Sequence, residues 1–355
     1  MTKIKCGVWG FGRMGEQHAQ FYNKEKDLFE LVAVCDTNEE RLERAKSTFG
    51  CATYKEGAEF LADPNMELVI ICTLSTAHTE QAIRALEQGK YVLLDKPIAI
   101  TDAELHALRE ADKKYPDKLF VLHNIRFEPG FEAVQKVLLE GVLGEINMIK
   151  LRRHLRGHFF RSDWQTSLQH GGGLLNNWGN HEIDHAVQLL GCHPQEIHSY
   201  LWHVTAGGNG DDHVKIILKG TNNRLVDSEI SYNVTLPEPY CTIHGQRGTL
   251  VCNAEMNEIS LRYVDPDFTF PPLDLETNTL HYRNLHDGEI PWVEKTINVE
   301  ESQSIWEYMD RKLFRNLHNA IRNGGTYPIT NADAFETVRI MEEVKNQNPQ
   351  FDWIK

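Results

Sequence analysis

Apolar residues in the first third of the chain come in short, unbroken runs: "IKCGVWGFG" (4–12), "FELVAVCD" (29–36), "MELVIICT" (66–73), "KYVLLDK" (90–96) and "KLFVLHN" (118–124). Runs without alternation suit strands covered on both faces, as in a parallel sheet. Between them, segments 15–25, 38–48, 77–88 and 102–114 carry helical patterns. One opens with Thr101 three residues before Glu104, a capping box that meets backbone N–H groups of the first turn. Another ends at Gly89, suited to the left-handed backbone of a helix C-terminus. Strand–helix repetition predicts a doubly wound α/β domain with right-handed crossovers, ending near residue 125.

Beyond Asn124 the period shortens to two. Segments 145–154, 196–205, 212–220, 225–234, 240–252 and 258–264 include alternating apolar and polar positions, which predicts an antiparallel sheet with one face on a helical layer and the other free. A helix is predicted over 177–190, where Ile183, Ala186, Val187 and Leu190 form an apolar stripe and Asn177, His181, Asp184 and Gln188 the opposite one. A polar stripe is ordinarily a solvated face. Here Trp178 and the glycines at 171–173 favour a pocket instead. Residues 271–293 have no strong period, and an oligomer contact and an active-site flap are both open readings.

Composition narrows the class. A chain of 355 residues has room for two domains, and a net charge of −14 argues against a nucleic-acid or anionic-membrane surface. No apolar run reaches the roughly 18 residues of a membrane span, and the first residues lack the apolar core of a signal peptide. Seven cysteines, at 6, 35, 51, 72, 192, 241 and 252, show no metal or disulfide spacing, so a cytoplasmic protein with reduced thiols is expected. The 17 histidines show no metal signature, and no metal is expected.

The first turn reads "GFGRMG": Gly10, Phe11, Gly12, Arg13, Met14 and Gly15, in the spacing G-x-G-x-x-G between a strand and a helix. The first glycine permits the tight turn, the second lets backbone N–H groups approach a pyrophosphate, and the third packs helix on strand. Asp36 ends the second strand, 21 residues after Gly15. A carboxylate there accepts ribose hydroxyls and repels a 2′-phosphate, so NAD is expected over NADP. Lys96 and Pro97 follow the fourth strand, at the sheet end where open α/β folds bind ligands. An ammonium there can stabilise an alkoxide as hydride leaves. The stretch "RRHLRGHFFRSDWQ" (152–165) adds Arg152, Arg153, His154, Arg156, His158, Arg161, Asp163 and Trp164. Arg161 and Trp164 are candidate contacts to a polar or carboxylated substrate, with about half of the cluster expected to be structural because alternate strand residues point away. His170, beside the glycines, is a further candidate.

The opening "GVWGFGRMGEQHAQ", the strand end "DKP" and "GGGLLNNWGNHEID" (171–184) together resemble the Gfo/Idh/MocA family of oxidoreductases, named after glucose–fructose oxidoreductase and inositol dehydrogenase. The resemblance runs from Gly7 to the closing helices. It implies an amino-terminal Rossmann domain (1–125), and a carboxy-terminal α/β domain on a large, mostly antiparallel sheet (126–355). It also implies NAD(P)-linked oxidation or reduction of a hydroxyl on a sugar, sugar acid or cyclitol. The family's E-K-P lysine falls on Lys96, with Asp95 in place of the Glu. "TLSTAH" keeps Thr73 and His78 near the cofactor but lacks the usual proline.

The same resemblance makes His181 the general acid/base. It puts the family's acidic partner on Asn177, which cannot carry negative charge. His181 is then expected to work with Lys96, helped electrostatically by Asp184, with Asn124, Arg126 and Trp178 lining the cleft. Members often bury the free sheet face between subunits, which makes a homodimer or homotetramer the expectation. Two other readings stand beside a dehydrogenase of polyol substrates: transient NAD-linked oxidation that drives an elimination, and a non-catalytic NAD- or sugar-binding regulator.

Overall fold

The protein is described from a computed structural model covering residues 2–155, 161–205, 207–270, 287–299 and 304–351. The first unit runs β1 (Ile4–Trp9), α1 (Arg13–Lys24), β2 (Phe29–Cys35), α2 (Glu39–Phe49), β3 (Ala52–Tyr54), α3 (Gly57–Leu61), β4 (Leu68–Ile71), α4 (His78–Glu87), β5 (Tyr91–Asp95), α5 (Asp102–Lys114) and β6 (Leu119–Leu122). Its six strands are parallel, in the order β3-β2-β1-β4-β5-β6. Strand order reverses between β1 and β4, and the glycine turn leaves β1 at that switch point, where such sheets open a crevice. The apolar runs are buried on both faces: every residue of β4 and β6 is buried. The short β3 and α3 are additions to the expected pattern, since neither is long enough to carry a detectable period.

The second unit runs α6 (Pro129–Glu140), β7 (Ile146–His154), α7 (Asn180–Leu190), β8 (Pro194–Trp202), β9 (His213–Gly220), β10 (Leu225–Ser231), β11 (Cys241–Gly245), β12 (Gly248–Cys252), β13 (Glu258–Val264) and β14 (Trp292–Asn298), with α8 (Ile305–Asn323) and α9 (Asn331–Gln347) closing the chain. Its eight strands lie in the order β14-β13-β12-β11-β7-β10-β9-β8. β7 and β10 pair in parallel, and the other neighbours are antiparallel. Alternate residues of β9, Val214, Ile216 and Leu218, are buried under the helices. On the opposite face Arg152, Asp227, Lys215, Glu229 and His154 form a lattice of ion pairs. Exposed Tyr200 and Trp202 stack beside it, ring centroids 6.0 Å apart.

The last helices tie the two units together. Phe314 of α8 packs against Phe21, Tyr22 and Phe29 of the first unit, with ring centroids 4.9, 4.9 and 5.8 Å apart. Met309, Leu313, Leu317 and the first turns of α9 join the same core, whereas Ile340, Met341 and Val344 of α9 belong to the second. The amino-terminal core is therefore completed by residues far beyond position 125.

Candidate active site

The glycine turn has the shape its spacing predicts. Gly10 has φ +92°, and a Cβ there would stand 2.7 Å from the Cys72 carbonyl oxygen; a Cβ on Gly15 would overlap the Gly10 carbonyl. A Cβ on Gly12 would meet only Arg41 Nη1, at 3.9 Å, so this glycine faces open space in front of α1. No side chain caps that helix, which leaves its first N–H groups for an anion such as a pyrophosphate. Phe11, Arg13 and Met14 complete the turn, Phe11 buried and Arg13 exposed. Asp36 is buried, with Oδ2 accepting the Phe11 N–H at 2.7 Å and Oδ1 the Asn38 N–H at 2.9 Å. Arg41 folds back from α2 to pair with Asp36 at 3.4 Å. The residues present thus fit a dinucleotide.

Behind the turn, Thr73 Oγ1 donates to Gln81 Oε1 at 2.6 Å. His78 is fully enclosed, its Nδ1 2.8 Å from the Pro97 carbonyl and its Nε2 3.2 Å from the Thr73 carbonyl. Both ring nitrogens face protein carbonyls, so His78 braces the ends of β4 and β5 and does not present a nitrogen to a cofactor. The Lys96–Pro97 peptide is cis.

Lys96 Nζ donates to the Asn177 backbone carbonyl at 2.8 Å and to Asn177 Oδ1 at 3.2 Å. The Asn177 amide nitrogen points the other way, 3.4 Å from Gln165 Oε1 and 3.4 Å from the Tyr232 hydroxyl. Arg161 donates to the same two groups, reaching the Tyr232 hydroxyl at 3.3 Å and Gln165 Oε1, while its Nε pairs with Asp163 at 3.0 Å. Burial lowers the Lys96 pKa, with the Asp95 charge opposing and that of Arg161 adding to the effect. Burial likewise holds His181 well below the usual imidazole value, and the Lys96 charge pushes it further down. Its Nδ1 is buried without a hydrogen-bond partner. Trp178 packs edge-on against the ring, centroids 5.6 Å apart, and is itself covered by the Arg153 guanidinium at 5.5 Å.

The glycine run serves chain packing. A Cβ on Gly172 would stand 2.7 Å from the Gln165 and Ser167 carbonyl oxygens, and one on Gly173 (φ +102°) would overlap Asp211 Oδ1. Three segments, 165–167, 171–173 and 207–211, are thereby stitched backbone to backbone, with the Gly173 N–H donating to the Gln165 carbonyl at 2.9 Å. The chain then takes a wide π-type turn over Leu175–Gly179 before α7. Such turns are rare and frequent at functional sites; this one carries Asn177 toward Lys96. Asp211 anchors it, accepting the Leu175 N–H at 2.7 Å. Burial raises the Asp211 carboxyl to about 7, against the pull of backbone N–H groups.

Several expected contacts fall elsewhere. The polar stripe of the 177–190 helix is not solvated: His181 and Asp184 are buried, as are the neighbouring Glu182 and His185. Asp184 is gripped by the Arg126 guanidinium, Nε to Oδ2 at 2.9 Å and Nη2 to Oδ1, and burial against Arg126 holds its carboxyl far below the usual range. Its charge favours the protonated His181 ring only weakly, outweighed by burial and by the Lys96 charge. Arg126 also reaches Asp333 at 2.9 Å and the Pro328 carbonyl at 3.1 Å, and Asn124 donates to Asp310 at 3.0 Å. Asn124, Arg126 and Asp184 thus join α7 to α8 and α9, committed to protein partners because a buried charge demands one.

Arg153 is buried between Glu128 and Glu182 under α7, while Arg152 and His154 belong to the outer face of the sheet. Trp164 is 43% exposed, and His170 is exposed with Nδ1 3.0 Å from Ser167 Oγ. Arg156 and His158, with most of the 271–293 segment, lie outside the described residues. Gln165, Tyr232 and Asp211 were missed. Gln165 and Tyr232 are marked only by their approach to Asn177 and Asp211 by its bond to Leu175, pairings 12 to 55 residues apart in sequence.

A 3-2-1-4-5-6 parallel sheet with a glycine turn at its switch point and a strand-end lysine bonded to an amide of a second sheet domain, near a buried imidazole, defines a dinucleotide-dependent oxidoreductase. The chain belongs to the Gfo/Idh/MocA family: residues 4–123 match the family's NAD-binding Rossmann-fold domain and residues 131–251 its C-terminal domain. It is 26% identical over 309 residues to inositol 2-dehydrogenase of Rhizobium meliloti, covering 84% of this chain and 91% of that one. It is 28% identical over 264 residues to 2,7-anhydro-N-acetylneuraminate hydratase of Escherichia coli, covering 73% and 70%. Among solved structures it shares its fold with levoglucosan dehydrogenase in complex with NADH and levoglucosan, at a TM-score of 0.78 and 20% identity over 99% of this chain and 98% of that one.

Proposed function

We propose that the protein is an NAD-dependent dehydrogenase acting on a carbinol of a sugar, sugar acid or cyclitol. The observation that carries the reading is that Lys96, just past the end of β5, is aimed by two Asn177 oxygens and lies close enough to the buried His181 for its charge to help hold that imidazole neutral. NAD, when bound along Gly10, Gly12, Gly15 and Asp36, supplies the hydride acceptor. With that acceptor in place to take the carbinol hydride, His181 would take the proton from the hydroxyl oxygen, leaving a carbonyl. Lys96 stabilises the oxygen as negative charge develops on it, and Asn177 fixes the direction of the ammonium.

Screening sugars, sugar acids and cyclitols for NADH absorbance tests this reading. On a substrate so identified, Lys96→Ala and His181→Ala are each expected to lower kcat by about 10²–10⁴-fold, the usual span of positioned acid–base groups. Because His181 must be neutral to accept a proton and its pKa is lowered, the acid limb of kcat/KM is expected below the ordinary imidazole value of about 6.5. Full turnover in both variants would remove the assignment.

A second reading draws on the relative named as a hydratase: a carbinol oxidised transiently, an elimination or addition at the neighbouring carbon, and reduction back. Its signature is turnover with no net NADH. The free sheet face, with exposed Tyr200 and Trp202, supports a homodimer or homotetramer. Seven unpaired cysteines fit a reducing, cytoplasmic setting.

A further inference from the structure

The charges around Lys96 do not balance. Its side chain is half-buried, yet both hydrogen-bond acceptors of its ammonium, the Asn177 carbonyl and Asn177 Oδ1, are neutral. Among the described residues no carboxylate stands within ion-pair distance of it. The Asp95 carboxylate is turned to the Lys96 backbone N–H, at 2.8 Å, and acts on the ammonium only from farther away. A second cation adds to the imbalance. Arg161, its side chain 15% exposed, joins Lys96 through the neutral bridge of Asn177, Gln165 and Tyr232, and its charge is felt at Lys96. Among the described residues Arg161 pairs with one carboxylate, that of Asp163, which engages its Nε edge and is itself 43% exposed. His181 is held neutral and contributes no charge of its own.

Two half-buried cations linked by uncharged amide and hydroxyl groups are short of solvent, and that desolvation goes uncompensated unless an anion joins them. Removing an ordinary neutral ligand's hydration does nothing to offset that cost. A ligand carboxylate does, and a planar guanidinium meets it with two parallel hydrogen bonds. We infer that the site is built for an anionic substrate, a polyhydroxylated carboxylic acid whose carboxylate is shared by Arg161 and Lys96 while a neighbouring hydroxyl faces His181. The inference deepens the dehydrogenase reading and rests on it for the identity of the reacting hydroxyl. The carboxylate itself undergoes no chemistry, so the electron balance of the reaction is that given above.

Matched pairs test it: glucuronate against glucose, galacturonate against galactose, and gluconate against sorbitol. Each pair is assayed for NADH formation and, separately, for binding to the NADH-loaded protein by calorimetry. The expected result is a kcat/KM or Kd at least tenfold better for the acid in one or more pairs, weakening as salt is raised. Arg161→Gln is expected to reduce the acid-to-neutral ratio about tenfold, and Arg161→Lys to restore part of it; NADH binding checks that both variants are folded. Equal or better use of the neutral members overturns the inference and leaves the dehydrogenase reading standing. Acid binding with no turnover in any pair upholds the inference and sinks the dehydrogenase reading. Binding of no acid in the panel overturns the inference.

Discussion

Asp211 lies under the glycine run with a backbone N–H as its side-chain partner, and Asp212 beside it raises its pKa further. Its carboxyl titrates near 7 in the folded protein and near 3.9 when unfolded. The folded state therefore holds a proton the unfolded chain has released, so this group's stabilisation is complete below about pH 4 and is lost as pH rises to about 7. Asp211→Asn keeps an acceptor for Leu175 and cannot ionise. It is expected to gain stability relative to the parent as pH moves from 5 to 8, read as the difference in Tm across that range. A constant difference would show that the carboxyl does not titrate there.

The candidate site was legible in the sequence to the extent that its residues sit in local patterns. Gly10, Gly12, Gly15, Asp36, Lys96 and His181 each occupy a strand end, a turn or a helix face that a local motif marks. Arg126 and Asp184 were read as cleft residues because the pattern shows two charges and not that they face each other across 58 residues. Once buried, they had to pair: breaking such a pair by removing one partner costs about 3–5 kcal/mol.

At the scale of elements, strands and long helices followed from periodicity, and what periodicity missed was compensation between elements. A helix with a polar stripe reads as half-exposed, yet α7 is enclosed because Arg153, Arg126 and Tyr240 bring partners to Glu182, Asp184 and His185. The glycines before it looked like a ligand loop by composition, while their φ values and close approaches identify a joint between chain segments. Gly173→Ala places a Cβ on backbone of φ +102° and into Asp211. The strained backbone alone is expected to cost about 1–3 kcal/mol. Because the joint sets the turn bearing Asn177, NADH binding is expected to persist while substrate KM rises. Urea denaturation and steady-state kinetics measure the two effects, and an unchanged KM would show that the joint does not position Asn177.

At the scale of the whole molecule, the outer face of the second sheet combines an ion-pair lattice with stacked, exposed aromatics at its β8 edge. Aromatic residues of this kind are enriched at subunit interfaces. Trp202→Glu is expected to shift the protein to a smaller species by light scattering, without loss of NADH binding. An unchanged mass would place the contact elsewhere.

The return of α8 to the first core has a consequence for how the chain is made. A ribosome releases the six parallel strands long before it releases Phe314, which the aromatic cluster of Phe21, Tyr22 and Phe29 needs as its cover. Domains emerging during synthesis generally fold as units at about 5–20 residues per second. Here the first unit must wait for α8, about 10–40 seconds at that rate. During that interval its aromatic surface is open to the solvent and to any chaperone that binds exposed apolar groups, so the order of birth and the order of completion run in opposite directions.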